Sequence, residues 1–247
     1  MHSSLMKSLR KLDPFKRLSD AGYSLLEETS VIQNYEIGER LCRADELPGL
    51  VHLILKGEVR LLVSSLEGKG LITLDRRGKG QFIGWSSLLR AEACETVQAS
   101  LDLPTLAIPA ENFVRLCKTE IEFSTFFSNS SSPQEAWAVG KNILSRIPKQ
   151  PPYLDARLKA ASLDAAAATF NGEELINFSI PNRSWHLSTS VSDNFPVGFL
   201  LKNDTQFPQI DGFVLPFRAI GLPEKWLDED AETLDILESL AEPNEDA

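Results

Sequence analysis

Ser184 and His186 are the residues of this 247-residue chain whose types and spacing come nearest to catalytic chemistry. They stand two apart in an extended-looking run, with Asp193 downstream. Alternate residues of a strand share a face, so a hydroxyl and an imidazole lie on one side, as a nucleophile and its base would. Neither the G-x-S-x-G elbow nor the H-E-x-x-H pair accompanies them, and no G-x-x-x-x-G-K-[ST] phosphate loop is present. Cys42, Cys94 and Cys117 are odd in number and lack paired spacing, which gives neither a disulfide framework nor a zinc site. His2, His52 and His186 are too scattered to add a metal cluster, and Cys94 has no base beside it to activate its thiol. The expectation is a chain with no catalytic residues, no metal and no resident cofactor.

The elements that must position these side chains fall into three stretches. Residues 3–28 place Leu5, Leu9, Leu12, Phe15, Leu18, Leu25 and Leu26 at helical spacing, with breaks at Pro14 and Gly22. From Val31 the apolar period becomes two. Short strands are predicted at Val31–Ile37, Leu50–Lys56, Glu58–Ser64, Leu71–Asp75, Thr96–Leu101 and Thr105–Ile108, punctuated by glycines. In this alternation Arg60 faces outward and His52 lies opposite Val51, Leu53 and Leu55. Evenly spaced short strands indicate a jelly roll. Pro109 then opens a helical pattern through Phe113, Leu116 and Cys117, which Phe123, Phe126 and Phe127 continue.

A polar loop, Ser128–Ser132, ends this first part. Ser132-Pro133-Gln134-Glu135 reads as a capping box that starts a helix to about Arg146, with Trp137, Ile143, Leu144 and Ile147 on its apolar side. Leu154–Thr169 is alanine-rich and reads as helical. Ile176–Pro181, Trp185–Ser190, Val197–Leu201 and Gly212–Pro223 read as extended and proline-interrupted. Residues 232–241 have the spacing of one amphipathic helix. The domains predicted are 1–128, a β-roll with N-terminal helices; 133–170, a helical segment; 171–241, a small mixed region; and 242–247, a disordered acidic tail. The fold class is α+β, mainly β.

Three stretches come in the order and rough spacing of a known family: Gly57–Leu62 (GEVRLL), Gly80–Leu89 (GQFIGWSSLL) and Glu95–Ser100 (ETVQAS). With the short N-terminal helices and the trailing helix, residues 5–147 resemble the cyclic-nucleotide-binding domain. The resemblance implies an eight-stranded roll in which a loop and short helix hold a cyclic phosphate on backbone N–H groups. It also implies an arginine on the phosphate and a glutamate accepting from the ribose 2′-hydroxyl.

The ligand-contact positions depart from that pattern. Phe82-Ile83-Gly84-Trp85 occupies the Phe-Gly-Glu segment with one extra residue. Trp85 replaces the glutamate and can donate but not accept. Ala93 stands where the arginine is expected, beside Cys94 and the two acidic residues Glu92 and Glu95, whose negative charges repel a phosphate. The candidate ligand-binding residues are therefore Phe82, Gly84, Trp85, Ser86, Ser87, Arg90 and Thr96. Each has a second reading. Arg90 meets an anion, or caps the short helix or pairs with Glu92. Ser86 and Ser87 donate to a phosphate, or cap the helix. Trp85 stacks on a planar ligand, or plugs the vacated pocket or packs on a partner.

Gly84–Ser100 is also similar to the domain at the N-terminus of cyanobacterial peptidase-containing ABC exporters. Trp185–Ser188, Pro196–Gly198 and Arg218–Pro223 resemble the segment that follows it there. That implies the front end or a subunit of an ABC-type exporter for type I secretion or bacteriocins, with a degenerate nucleotide pocket. The alternative is a sensor that binds a cyclic nucleotide or another anion through Arg90 and the Gly84–Ser87 loop. A protein partner is expected, with any membrane contact indirect, and the Ser132–Arg146 helix is a candidate dimer contact.

Charge excludes one class of partner. Residues 221–247 hold one basic residue, Lys225, and ten acidic ones, and so carry −9 of the formal −10. Residues 171–247 offer only Arg183, Lys202, Arg218 and Lys225 as cations, too few for a set of phosphate contacts on DNA, and no basic helix-turn-helix is apparent. The start of the chain lacks a signal peptide's apolar region and no run is long enough for a membrane helix, so the expected location is cytoplasmic.

Overall fold

A computed structural model describes residues 2–148, 150–170, 180–202, 205 and 217–228. The chain divides into two units. Met1–Leu62 with Asp75–Ser130 form the first, and Val63–Leu74 with Ser131–Ala247 the second.

The first unit opens with α1 (His2–Leu9), a 3-10 turn at Phe15–Arg17 and α2 (Asp20–Thr29). Ser19 caps α2 through Gly22 N–H, and its own N–H donates to Glu120 at 3.0 Å. Eight strands follow: β1 (Val31–Tyr35), β2 (Arg40–Cys42), β3 (Leu50–Ile54), β4 (Glu58–Ser64), β5 (Leu71–Gly78), β6 (Phe82–Ile83), β7 (Thr96–Ala99) and β8 (Leu103–Pro109). A single-turn helix, α3 (Ser86–Leu89), interrupts them between β6 and β7. The helices α4 (Ala110–Thr119) and α5 (Ile121–Ser128) close the unit.

The strands form two four-stranded sheets, in the orders β1-β8-β3-β6 and β2-β7-β4-β5. This is the expected roll with flanking helices. Period-two alternation packs Cys42, Ile54, Val59, Leu61, Ile83, Val97, Ala99 and Leu103 into one cluster. The opposite face of β3 and β8 meets the helices through Val51, Leu53, Leu106 and Ile108. Both faces of β3 are therefore buried. His52, which alternation sets apart from its apolar neighbours, is only 1% exposed. The aromatic run in α4 and α5 becomes a ring cluster around Phe127, with Phe113, Phe123 and Phe82 at 4.9, 5.1 and 5.2 Å.

The second unit contains α6 (Pro133–Leu144), α7 (Leu154–Leu163) and an antiparallel sheet in the order β10 (Arg183–Leu187), β11 (Phe217–Pro223), β9 (Ala166–Phe170). A β-carbon on Gly140 of α6 would sit 2.1 Å from Leu158 of α7, so glycine permits this helix contact. Trp137, Val139 and Leu144 of α6 pack with Leu158, Ala161, Ile220 and Leu222. The apolar side of the Ser132–Arg146 helix is thus covered within its own unit. Asp155 in the first turn of α7 accepts from Leu66 N–H at 2.7 Å and Ser65 Oγ at 2.5 Å, fixing the Val63–Leu74 hairpin tip.

Several local expectations need correction. Gly22 does not break a helix but lies inside α2. Leu154–Thr169 is not one helix: α7 ends at Leu163 and Ala166–Phe170 form β9, paired with Phe217–Gly221 of β11. Ladder pairing there outweighs alanine's helix preference. The capping box also does not form. Ser132 makes no side-chain cap, and Glu135 turns to Arg218 of β11 instead of back to the helix start. Val197–Leu201 is a loop that touches β10 through the His186–Leu200 bridge. Residues 176–179 and 212–216, the 232–241 helix and the 242–247 tail lie outside the described residues. Among the described residues no helix is long and apolar enough to cross a membrane.

Candidate functional site

The loop after β6 turns at Gly84, whose φ is +82°. A β-carbon there would meet Leu50 O at 2.7 Å and Cys42 Sγ at 3.4 Å. Glycine is required both for the left-handed backbone and for the close approach to β3. Gly84→Ala should therefore cost about 1–3 kcal/mol. Urea unfolding of the whole chain checks this, and an unchanged midpoint would mean that the loop adapts freely.

Past that turn the donors of the loop converge on one carboxylate. Glu95, on the approach to β7, accepts from Gly84 N–H at 3.0 Å, Ser87 N–H at 3.0 Å and Ser87 Oγ at 3.0 Å. It is 2% exposed. Burial pushes its carboxyl above the ordinary range, while the two amides and the Ser87 and Ser86 hydroxyls pull it back down. The Cys94 N–H donates to Ser87 Oγ at 3.1 Å, and the Cys94 thiol lies 3.5 Å from the same oxygen. The Cys42 thiol is raised mainly by burial, with Glu95 and Cys94 adding, which keeps it protonated.

The other candidate residues fall around this cradle. Ser86 and Ser87 are buried, and Ser87 supplies both its amide and its hydroxyl to Glu95. Arg90, at the end of α3, is 1% exposed and its Nη2 donates to Glu92 at 3.1 Å. Trp85 turns into the helical core, 5.5 Å from the Phe127 ring and 6% exposed. Phe82 lies beside Phe15 and Phe127 in the same core. Thr96 Oγ1 accepts from Ala44 N–H at 3.2 Å. The structure thus brings Gly84, Ser86 and Ser87 to one point and sends Phe82 and Trp85 into packing.

Glu95 is the site residue that sequence reasoning leaves out of the candidate set. Read as a repulsive charge near a phosphate, it is also the acceptor that the loop's donors hold. Its position directly before a buried strand, in reach of a donor-rich loop, is the signal that pointed to it.

In the second unit Ser184 and His186 do share a face. His186 Nε2 is 3.0 Å from Ser184 Oγ, and Nδ1 is 3.1 Å from Gly198 O. A carbonyl only accepts, so Nδ1 carries the proton and Nε2 accepts from the serine. Burial lowers the His186 pKa, with the Gly198 carbonyl opposing. The third member of this arrangement is a backbone carbonyl instead of a carboxylate, which orients the ring without stabilising an imidazolium as a triad acid does. Among the described residues no cluster of histidine, cysteine and carboxylate groups is arranged to hold a metal, and all three cysteines are free thiols.

Residues 32–120, from β1 to the end of α4, match the family model described as cyclic nucleotide-binding domain. No curated protein matches the chain. The regulatory subunit of a cAMP-independent protein kinase A from Trypanosoma brucei is 19% identical over 51% of this chain and 47% of that one, with a TM-score of 0.45. The corresponding subunit from Trypanosoma cruzi, bound to guanosine, is 15% identical over 51% and 47%, with a TM-score of 0.41. The sensor domain of the transcriptional regulator DNR from Pseudomonas aeruginosa is 14% identical over 61% and 97%, with a TM-score of 0.46. The chain spans about half the length of the two kinase subunits.

Proposed function

We propose that this chain, whose residues 32–120 carry a domain of the cyclic-nucleotide-binding kind, is a non-catalytic regulatory or sensor module that reads an anion at the Gly84–Ser87 loop. One observation carries the reading: two amides and a hydroxyl of that loop converge on a carboxylate at 3.0 Å each. A loop that holds one anion in this way has the donors to hold another of similar size, such as a cyclic phosphate. Arg90 is the cation next to the loop in sequence. To serve a ligand it has to leave Glu92.

A second reading is an interaction module whose pocket stays closed. It is favoured by the burial of Glu95 and by Trp85 facing the core. The docking of such a module to an ABC-type exporter rests on the Gly84–Ser100 pattern and the looser match of Trp185–Ser188, Pro196–Gly198 and Arg218–Pro223. Calorimetric titration of the whole chain with cAMP and cGMP separates the two readings. The sensor reading expects saturable heat that weakens at least about tenfold in Ser87→Ala, the loss of roughly one charge-assisted hydrogen bond. No heat at millimolar nucleotide, in wild type and variant alike, would leave the interaction module.

A further inference from the structure

The carboxylate in the cradle belongs to the chain itself. Glu95 is 2% exposed, and both of its oxygens are engaged: Oε1 by Gly84 N–H, Oε2 by Ser87 N–H and Ser87 Oγ. The Gly84 and Ser87 donors that would meet a phosphate in this loop are already engaged by it. We propose that Glu95 is a tethered internal anion that competes with any external anion for the Gly84–Ser87 loop, so that the module is held in its occupied form without ligand. This rests on the reading of the loop as an anion site.

The competition has a defined direction. An external ligand binds only in the fraction of molecules from which Glu95 has withdrawn, so its apparent affinity falls by that fraction. Withdrawal strips the carboxylate of three donors, and a buried charge without partners is costly, so the open fraction is small. With Glu95 seated in nine-tenths to ninety-nine hundredths of the molecules, the apparent dissociation constant is raised about 10- to 100-fold. Tethering also sets the loop conformation. The donors are oriented by an anion in most of the molecules, and the loop needs no nucleotide to order it.

The test uses the full chain as wild type, Glu95→Ala and Glu95→Gln, titrated with cAMP and separately with inorganic phosphate. Folding of each is checked by circular dichroism, and amide hydrogen exchange is followed over residues 84–90. The expected result is that Glu95→Ala binds phosphate or cAMP about 10- to 100-fold more tightly than wild type. Its loop amides should exchange faster without ligand and regain protection on adding millimolar acetate, a free carboxylate. Glu95→Gln keeps the side-chain size but turns an amide donor toward one set of loop donors, so it carries the test if the alanine variant does not fold. Folded variants that bind no more tightly than wild type, with loop exchange unchanged, would overturn the proposal. If wild type and variants all bind cAMP equally well, Glu95 is no competitor and the sensor reading survives. If the variants lose loop protection, regain it with acetate, and ignore cAMP and phosphate, the internal anion stands and the nucleotide reading falls.

Discussion

Glu135→Ala or Arg218→Ala is expected to destabilise the second unit by about 3–5 kcal/mol. Arg218, on β11, donates through Nε to Glu135 Oε1 at 2.7 Å and through Nη2 to Oε2 at 2.9 Å, a two-pronged pair. Ser188 Oγ donates to the same Oε1 at 2.6 Å. The side chains are 3% and 0% exposed, so neither charge has water to fall back on. Truncating one partner leaves the other charged, buried and short of its donors or acceptors, and the desolvation already incurred is no longer offset.

The same physics sets an internal control. Replacing both residues with apolar ones of similar length, as in Glu135→Leu with Arg218→Met, removes the stranded charge along with the pair and should cost much less than either single alanine. Ser188→Ala removes one of the bonds to Glu135 and should cost about 1–3 kcal/mol. Urea unfolding followed by fluorescence reads this unit, because Trp137, Trp185 and Trp226 are all buried in it. Single alanine variants within 1 kcal/mol of wild type would mean that water reaches the pair.

Glu135 also shows where the sequence is legible and where it is not. Ser-Pro-Gln-Glu correctly places the start of α6, because proline at the first helical position is a local signal. The destination of the glutamate side chain is not local. It depends on Arg218, 83 residues later, and no pattern near residue 135 contains that information. The roll divides in the same way. Six of its eight strands follow from period-two apolar residues between glycines, while β2 and β6, three and two residues long, are too short to show a period; the turn glycine and single-turn helix of the 84–89 loop follow from family-like spacing. Ala166–Phe170 becomes a strand only because β11 is there to pair with it. Glu95 reads as a misplaced charge until the fold brings Gly84 and Ser87 within 3.0 Å of it. In each failure a partner outside the residue's own local pattern decides its role, Arg218 for Glu135, β11 for Ala166–Phe170, and the turn at Gly84 for Glu95.

Acidification should weaken the first unit through His52. Its ring is buried, with Nδ1 3.1 Å from Thr105 Oγ1 and Nε2 3.4 Å from the Tyr35 hydroxyl. Thr105 Oγ1 in turn donates to Gln33 O at 3.3 Å. Thr105 therefore accepts from Nδ1–H, and Nε2 accepts from Tyr35, whose phenol burial pushes up to about 12 and so keeps protonated. A second proton on His52 would oppose that donor and place a charge in the core, so burial lowers its pKa from 6.5 to about 4. The folded state then binds the proton more weakly than the unfolded state. Stability is full above pH 6.5 and is lost as the pH falls from there toward 4. The whole window is about 3 kcal/mol, of which about 2 kcal/mol has gone by pH 5. His52→Gln cannot titrate there. It should be less stable than wild type at pH 7.5 and show a flatter dependence between pH 7.5 and 5, so the two unfolding curves converge on acidification. His186 is shifted in the same direction in the second unit, so His52→Gln should leave the acid response of that unit in place. Unfolding at the two pH values, read separately for each unit, tests both statements. Parallel pH dependence of wild type and His52→Gln would mean that the imidazole gains its proton in the folded roll as easily as in the open chain.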